Sequence, residues 1–241
     1  MNGFRSLLWI PSVREFVGRL RLWYYLTLQK RWKTFDSKHA FDVTVKHNFK
    51  LLKDFSIPRM DLLVKPLSVL EFLGDESDVL VIGPRNENDL LKLLASGFSH
   101  SRIRGLDLMS YSPLIDVGDM HETPYEDSRW DAIICGWTLS YSRRPDLFSK
   151  ELIRIARPGC AIAIAVEYSP ISDEELVDFV GYTIADKGFE RINSVDQILR
   201  LFEGHVGHVY FSHDAPLKRY HSRNGLVANP SSVAVIFTVR K

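Results

Sequence analysis

The run DVLVIG at residues 78–83 predicts a buried β-strand that ends at a glycine. A short apolar run without polar alternation is typical of a strand that is covered on both faces, as in a parallel sheet. The residues that follow predict a helix over 88–95, because three leucines fall on one face and Gly97 marks the end. A strand followed directly by a helix is the first half of a βαβ unit.

The same alternation continues along the chain. Further strands are predicted at 102–107, 113–117, 130–135 and 160–166. A helix is predicted at 147–156, closed by a turn at Pro158-Gly159. Helices are also predicted at 174–190 and 195–203, followed by strands at 208–211 and 232–239. This pattern predicts an α/β protein whose mostly parallel, doubly wound sheet ends in an antiparallel C-terminal edge, because no helix separates the last two strands.

Composition is that of an ordinary globular protein of 241 residues, with 45% hydrophobic residues and a formal net charge of +1. The two cysteines, Cys135 and Cys160, lack metal-ligand spacing, and the late histidines match no metal pattern, so no metal is expected. No apolar run approaches the roughly 18–20 residues that a membrane-spanning helix needs. We therefore expect a soluble, cytoplasmic protein.

Residues 1–60 are expected to form an N-terminal helical cap, followed by a main domain over 61–241. Residues 1–55 hold eleven Lys and Arg against four Asp and Glu, together with many aromatic residues. A helical pattern begins at Pro11, with apolar residues at three- and four-residue spacing at Val13, Phe16, Val17, Leu20, Tyr24 and Leu28. In one interpretation this arm touches an anionic partner or a membrane surface. In the other, its apolar face packs on the domain and its lysines stay in water.

Unusual residues follow the ends of the predicted strands, where ligands bind in open α/β sheets. Gly83 lets the backbone approach a ligand closely. Asp107, at the end of the second strand, has a carboxylate that can accept hydrogen bonds from both hydroxyls of a ribose. Asp119 and Met120 follow the third strand and could contact the edge and the face of an adenine. In this order, the residues indicate an adenosyl ligand.

The charge after Gly83 distinguishes two classes of adenosyl ligand. A dinucleotide places its pyrophosphate at the N-terminus of the following helix. Here that first turn contains Glu87 and Asp89, which would repel phosphate, and Arg85 offsets only part of this repulsion. The ammonium group of a methionine would instead be attracted to Glu87. The sequence thus favours a sulfonium amino acid.

Four segments resemble the class I S-adenosylmethionine-dependent methyltransferases over about residues 75–170. They are VLVIG (79–83), GLDL (105–108), GDMHETPYEDSRWDAIICGWTLSY (118–141) and ELIRIARPGCAIAIAVEY (151–168). The resemblance implies a Rossmann-like sheet of seven strands and S-adenosyl-L-methionine as the methyl donor. It assigns Asp107 to the ribose and Asp119 and Met120 to the adenine. The full set of donor-binding residues that it implies is Gly83, Pro84, Arg85, Glu87, Asp107, Leu108, Asp119, Met120, His121, Cys135, Gly136 and Trp137.

The chain departs from the family pattern at three positions. The glycine-rich loop of the family usually has two further glycines, where this chain has Arg85 and Glu87. The family's acid near the end of the first strand is replaced by Val81. These changes are compatible with a variant donor loop, with weakened donor binding, or with a fold that has lost catalysis.

Methyl transfer requires alignment of donor and acceptor, and an oxygen acceptor also requires a base. His121 is the first candidate base and Glu167 the second, with Tyr141 and Tyr168 also near strand ends; a surface loop is the alternative for His121. The expected function is methyl transfer to a small-molecule or saccharide acceptor, at oxygen. The alternatives are a nicotinamide-dependent oxidoreductase and a non-catalytic binding or membrane-surface module. No nucleic-acid partner is expected, because basic residues are not concentrated at the predicted site.

Overall fold

Seven strands form one sheet, and from one edge to the other they begin at Ile115, Ile103, Val79, Trp130, Ala156, Ser231 and Val206. The computed structural model of the chain describes residues 3–35, 48–55, 60–168, 191–214 and 231–241. The strands are β1 (Val79–Ile82), β2 (Ile103–Asp107), β3 (Ile115–Val117), β4 (Trp130–Gly136), β5 (Ala156–Tyr168), β6 (Val206–His213) and β7 (Ser231–Val239). The first five strands are mutually parallel, whereas β7 is antiparallel to both of its neighbours.

Helices cover both faces of this sheet. They are α1 (Gly3–Leu7), α2 (Pro11–Trp23), α3 (Asp61–Leu67), α4 (Asn88–Ala95), α5 (Pro145–Ile155) and α6 (Val195–Arg200). Successive side chains of a strand point to opposite faces. Accordingly, Leu80 and Ile82 of β1 join a core with residues of α5 and α6, while Val79 and Val81 join a second core with residues of α3 and α4. A strand that is buried on both sides explains the unbroken apolar run from which it was predicted.

The predicted α/β fold is confirmed, with two refinements. The antiparallel C-terminal strand β7 lies one position in from the edge, which β6 occupies. The predicted Pro158-Gly159 turn lies inside β5, where the pairing with β4 jumps from Ala156 to Ala161. The extra residues form a bulge, and Gly159 takes a positive φ of 81° within it. The helix predicted at 174–190 lies outside the described residues.

The N-terminal helix α2 packs on the domain through a different face from the predicted one. Arg14, Gly18 and Leu22 are its buried residues, whereas Phe16 and Leu20 of the predicted apolar face are 67% and 51% exposed. Arg14 is buried because its guanidinium donates to the Asn88 side chain (3.0 Å) and to the Leu8 carbonyl (2.9 Å). The expectation that the apolar pattern marks the packed face holds only in part, since Val17 is half-buried against the cluster of Leu8, Leu91 and Ala95 whereas Phe16 and Leu20 are exposed. The boundary between residues 60 and 61 stays a prediction.

The register of the parallel strands brings their carboxyl ends to one level. Ile82 of β1 pairs with Leu106 of β2 on one side and with Cys135 of β4 on the other. The next residue of each strand is therefore Gly83, Asp107 or Gly136, at the same edge of the sheet. Among the residues that the structure describes, no helix combines the length and the hydropathy needed to cross a membrane.

Candidate active site

A cavity with an accessible volume of about 140 Å³ opens at the carboxyl ends of β1, β2 and β4. Most of the residues proposed from the sequence to bind the donor line it. They are Gly83, Pro84, Arg85, Asp107, Leu108, Asp119, Met120, Gly136 and Trp137. Three others from the same set, Glu87, His121 and Cys135, are not among the lining residues. The strand ends thus converge where the alternation of strands and helices predicted a ligand site.

Gly83 begins the loop that leads from β1 into α4. Its φ is +69°, a value that glycine adopts readily and other residues rarely do. A Cβ atom at this position would overlap the side chain of Thr138. Because Gly83 has no side chain, Thr138 can lie directly against its backbone. The backbone of Gly83 therefore forms part of the cavity wall.

Asp107 places a buried carboxyl group in this wall. Its side chain accepts the backbone N–H groups of Arg85 (2.9 Å, on Oδ2) and Met109 (3.3 Å, on Oδ1). Burial raises the pKa of Asp107 to about 6, against the opposing effect of these backbone donors. A carboxylate has about four acceptor positions, so both oxygens keep capacity to accept further hydrogen bonds from a ligand.

Arg85 and Trp137 face the cavity with strained backbone. Their φ values are +55° and +63°, in the left-handed region that disfavours residues with a Cβ. Arg85 thus keeps a glycine-like conformation at a position where the resemblance expects glycine. Strain of this kind persists only where surrounding contacts enforce it and tends to occur at functional sites. Here the Arg85 side chain donates to Asn48 (3.2 Å), a residue of the N-terminal segment.

Glu87 points away from the cavity, which corrects its expected contact with the methionine ammonium group. Its carboxylate is fully buried and accepts two hydrogen bonds from the Arg21 guanidinium and one from the Ser112 hydroxyl. Its backbone N–H donates to the Tyr111 hydroxyl (3.1 Å). Glu87 therefore fixes the start of α4 from behind. The partner Arg21 lies 66 residues earlier, so the local sequence carries no signal of this pairing.

Other carboxyl groups line the cavity in place of Glu87. Asp54 and Asp89 join Asp107 and Asp119 among the described lining residues, where Arg85 is the single arginine. Asp89 is also 4.0 Å from the ammonium group of the buried Lys92. Asp89 lies in the first turn of α4 and was visible in the sequence as a helix-terminal acid. Asp54 was missed, as were Asn48 and Met60, because these residues precede the sheet and only tertiary packing brings them to it.

His121 lies behind Asp119, with both ring nitrogens engaged. Nδ1 is 2.6 Å from Asp119 Oδ1, and Nε2 is 2.8 Å from the Ser142 hydroxyl. Burial acts to raise the pKa of Asp119, but hydrogen bonds from His121 outweigh it and hold that pKa below its usual range. The expected direct reach of His121 to an acceptor is not found in this arrangement. In the structure, the hydrogen bonds of His121 orient the carboxylate of Asp119 and favour its ionised form.

The remaining candidates divide according to position along their strands. Cys135 is fully buried in the core, so it does not border the pocket. The same burial raises the pKa of its thiol to about 12. Glu167 pairs with Ser232 near the end of β5 and is not among the lining residues. Tyr141 lines the cavity, whereas Tyr168 packs against the core. Thr138, Asn86 and Asn88 also line it and were not predicted to.

A family model described as a methyltransferase domain matches residues 94–164, from α4 into β5. A search among curated proteins finds no match. Many solved structures share the fold. A chain of the Haloferax volcanii complex between the Trm112 methyltransferase activator and a methyltransferase aligns with a TM-score of 0.57 and 15% identity, covering 83% of this chain and 96% of the other.

Two further structures are similar at comparable distance. A SAM-dependent methyltransferase from Aquifex aeolicus aligns with a TM-score of 0.50 and 18% identity, over 79% of this chain and 97% of the other. An S-adenosyl-L-methionine-dependent methyltransferase from Methanococcus maripaludis aligns with a TM-score of 0.51 and 14% identity, over 87% of this chain and 98% of the other. At such identities these structures establish the fold alone. The chain thus combines a segment that matches a methyltransferase-domain model with the fold that it shares with these structures.

Proposed function

We propose that the cavity binds S-adenosyl-L-methionine and that the chain transfers its methyl group to an oxygen atom of a small-molecule or saccharide acceptor. The observation that carries this proposal is the buried carboxyl of Asp107 at the tip of β2, level with Gly83 at the tip of β1. Such a carboxylate can accept both hydroxyls of a ribose, and the adjacent glycine leaves room for the backbone to meet the ligand.

The neighbouring residues suit the other parts of the donor. Asp119 and Met120 would contact the adenine, and the backbone from Gly83 to Arg85 would contact the methionine portion. Asp89, in the first turn of α4, takes over the role that Glu87 was expected to have towards the ammonium group. The donor brings a methyl group on a sulfonium, which is already an activated leaving group. The residues of the chain have to position the reactants and exclude water and, for an oxygen acceptor, to remove its proton.

The charge of the wall supports a cationic ligand over a dinucleotide. Four carboxyl groups and one guanidinium line the described part of the cavity. A sulfonium and an ammonium group are stabilised by such a wall, whereas a pyrophosphate is repelled by it. A nicotinamide-dependent oxidoreductase is therefore the less favoured alternative, and a fluorescence titration with NADH separates the two.

The acceptor side of the proposal rests on the rim of the cavity. Trp137 offers an indole ring, and Asn48 and Tyr141 offer polar groups suited to a hydroxylated molecule. Tyr141 lines the cavity directly, so its hydroxyl would orient the acceptor. His121 and Glu167 stay predictions as bases, since neither is among the residues that line the cavity. Replacing Tyr141 with Phe tests this assignment, since kcat should fall while the affinity for the donor is unchanged.

Isothermal titration with S-adenosyl-L-methionine tests the donor site. We expect a dissociation constant in the micromolar range on the order of common substrate affinities. Asp107→Ala should weaken binding by at least about 100-fold, because two charge-assisted hydrogen bonds are lost. The exposed Asp75 provides a matched control, and Asp75→Ala should bind like the wild type. Equal affinity of the Asp107 variant and the wild type would contradict the ribose assignment.

A further inference from the structure

Helix α2 turns large apolar side chains outward and charged ones inward. Phe16, Leu20 and Trp23 follow the spacing i, i+4 and i+7, so they share one face, and they are 67%, 51% and 53% exposed. The opposite face carries Arg14 and Arg21, which bind the side chains of Asn88 and Glu87 at the start of α4. The packing of α2 on the domain therefore leaves its apolar face in solvent.

Exposed apolar surface is concentrated in the same part of the chain. Seventeen large hydrophobic residues are exposed in the described ranges, and eleven of them fall between residues 7 and 49. Besides the three on α2, the exposed residues from 7 to 32 are Leu7, Trp9, Ile10, Tyr24, Leu28 and Trp32. We call the exposed residues from Leu7 to Trp32 the N-terminal apolar patch. Clusters of this kind mark interaction sites, whereas single exposed apolar residues are ordinary.

Positive charge accompanies this patch. Residues 3–35 contain seven Lys and Arg and one acid, Glu15, although the whole chain has a formal net charge of only +1. Of these cations, Arg14 and Arg21 point towards the domain and bind Asn88 and Glu87. Arg19 adjoins Phe16 and Leu20 on the helix; its side chain is 61% exposed and lies 3.7 Å from the carboxylate of Glu15. Lys30 and Lys33 are exposed beyond the end of the helix.

Charge and residue type together favour one occupant. A second copy of this chain would bring two sets of like charges together, and the interaction would be repulsive. The anionic surface of a lipid bilayer attracts Lys and Arg, while Trp, Phe and Leu enter the boundary between headgroups and acyl chains. Trp9, Trp23 and Trp32 are all partly exposed, and tryptophan is enriched at this boundary.

We propose that the N-terminal apolar patch binds the surface of an anionic lipid bilayer, with α2 lying in the plane of the interface. Phe16, Leu20 and Trp23 insert, and Arg19, Lys30 and Lys33 contact lipid phosphates. The inward face of the same helix keeps its contacts with Asn88 and Glu87, so docking leaves the donor cavity intact. This proposal does not depend on methyl-transfer activity.

Flotation with lipid vesicles tests it on the full-length protein. The wild type should float with vesicles of phosphatidylcholine mixed with phosphatidylglycerol, and less with phosphatidylcholine alone. The F16S/L20S/W23S variant should lower the partition coefficient on the mixed vesicles by at least about 100-fold. Arg19→Gln should lower it about fivefold, and added salt should weaken wild-type binding.

The matched control is V69S/L147S, which removes two exposed apolar residues outside the patch and should bind vesicles like the wild type. Thermal unfolding establishes that each variant is folded, and the single variant Phe16→Ser should already show a partial loss. The proposal is overturned if wild-type protein stays with the buffer, or if the triple variant floats unchanged. It is also overturned if light scattering shows a wild-type dimer that the triple variant abolishes without any vesicle binding.

Discussion

Asp107 combines a buried position with a proposed ribose contact that requires its ionised form. Because burial raises its pKa to about 6, the carboxyl is protonated within an experimentally accessible range. In the proposed donor complex its ionised form accepts both ribose hydroxyls, so donor affinity should be constant above about pH 7 and fall by up to tenfold per pH unit below about pH 6. Isothermal titration across this range measures the effect.

The control for this pH dependence is Asp107→Asn, whose weaker binding should not vary with pH over the same range. Asp119 does not interfere, because its pKa is held below the usual range and it stays ionised. Wild-type affinity that is flat from about pH 8 down to about pH 5 would remove Asp107 from the contact with the donor.

Arg85 has a positive φ of 55° without being a glycine. Arg85→Gly and Arg85→Ala both remove the hydrogen bond to Asn48, so the comparison between them isolates the backbone. The glycine variant should be more stable than the alanine variant by about 1 kcal/mol, because a Cβ is disfavoured in the left-handed region. Urea unfolding of the two proteins measures this difference. A more stable alanine variant would show that the backbone at residue 85 carries no such strain.

At the scale of elements, α2 and the start of α4 are joined through a buried ion pair. Arg21 is the only cation among the hydrogen-bond partners of the fully buried Glu87 in the described structure. Arg21→Leu leaves that carboxylate uncompensated and should lower the free energy of unfolding by about 3 kcal/mol. The double variant R21L/E87L should lose clearly less, because no charge is then left buried. Denaturant unfolding of both variants measures the difference.

A functional readout accompanies this element-scale prediction. Glu87 precedes the helix that carries Asp89, so Arg21→Leu should also weaken donor binding. Arg19→Leu on the outward face of the same helix is the matched control and should leave both stability and donor affinity near the wild type. A loss below about 0.5 kcal/mol for Arg21→Leu would mean that the pair does not hold α4.

The elements themselves were largely predictable, and their irregularities were not. Strand β1 and most of β4 coincide with apolar runs in the sequence, because burial on both faces imposes a local pattern. The Pro158-Gly159 pair predicted a turn, but the structure has a bulge there within a continuous strand. A local turn signal does not show whether pairing with the neighbouring strand continues beyond it. The outward apolar face of α2 was likewise hidden, because periodicity locates a face without showing what lies against it.

At the scale of the whole molecule, the two sides of α2 have different surroundings. One side holds the donor loop through Arg14 and Arg21, and the other presents the N-terminal apolar patch. The N-terminal segment also supplies Asn48 and Asp54 to the cavity wall. It is thus part of the site as well as an extension of the sheet domain, which residue order alone did not indicate.

The residues of the candidate site also fall into two groups, those whose position the sequence indicated and those whose position it did not. Gly83, Asp107, Asp119, Met120 and Trp137 were located from strand ends, because the ends of parallel strands meet at one edge whatever their separation in sequence. Glu87, His121 and Cys135 were misplaced. Their side-chain directions depend on partners such as Arg21 and Ser142 or on the pleat of the strand, and no local pattern encodes these.

The sequence by itself determined the alternation of strands and helices between residues 78 and 168, the class of fold and the level at which the candidate site residues lie. These properties follow from apolar periodicity and turn residues, which act over a few positions of the chain. Only the tertiary structure decided which carboxyl groups face the cavity, which one is tied to an arginine, and which face of α2 meets solvent. Those outcomes depend on contacts between residues tens of positions apart. Such contacts form only when the elements are packed together, so no local pattern of the sequence reveals them.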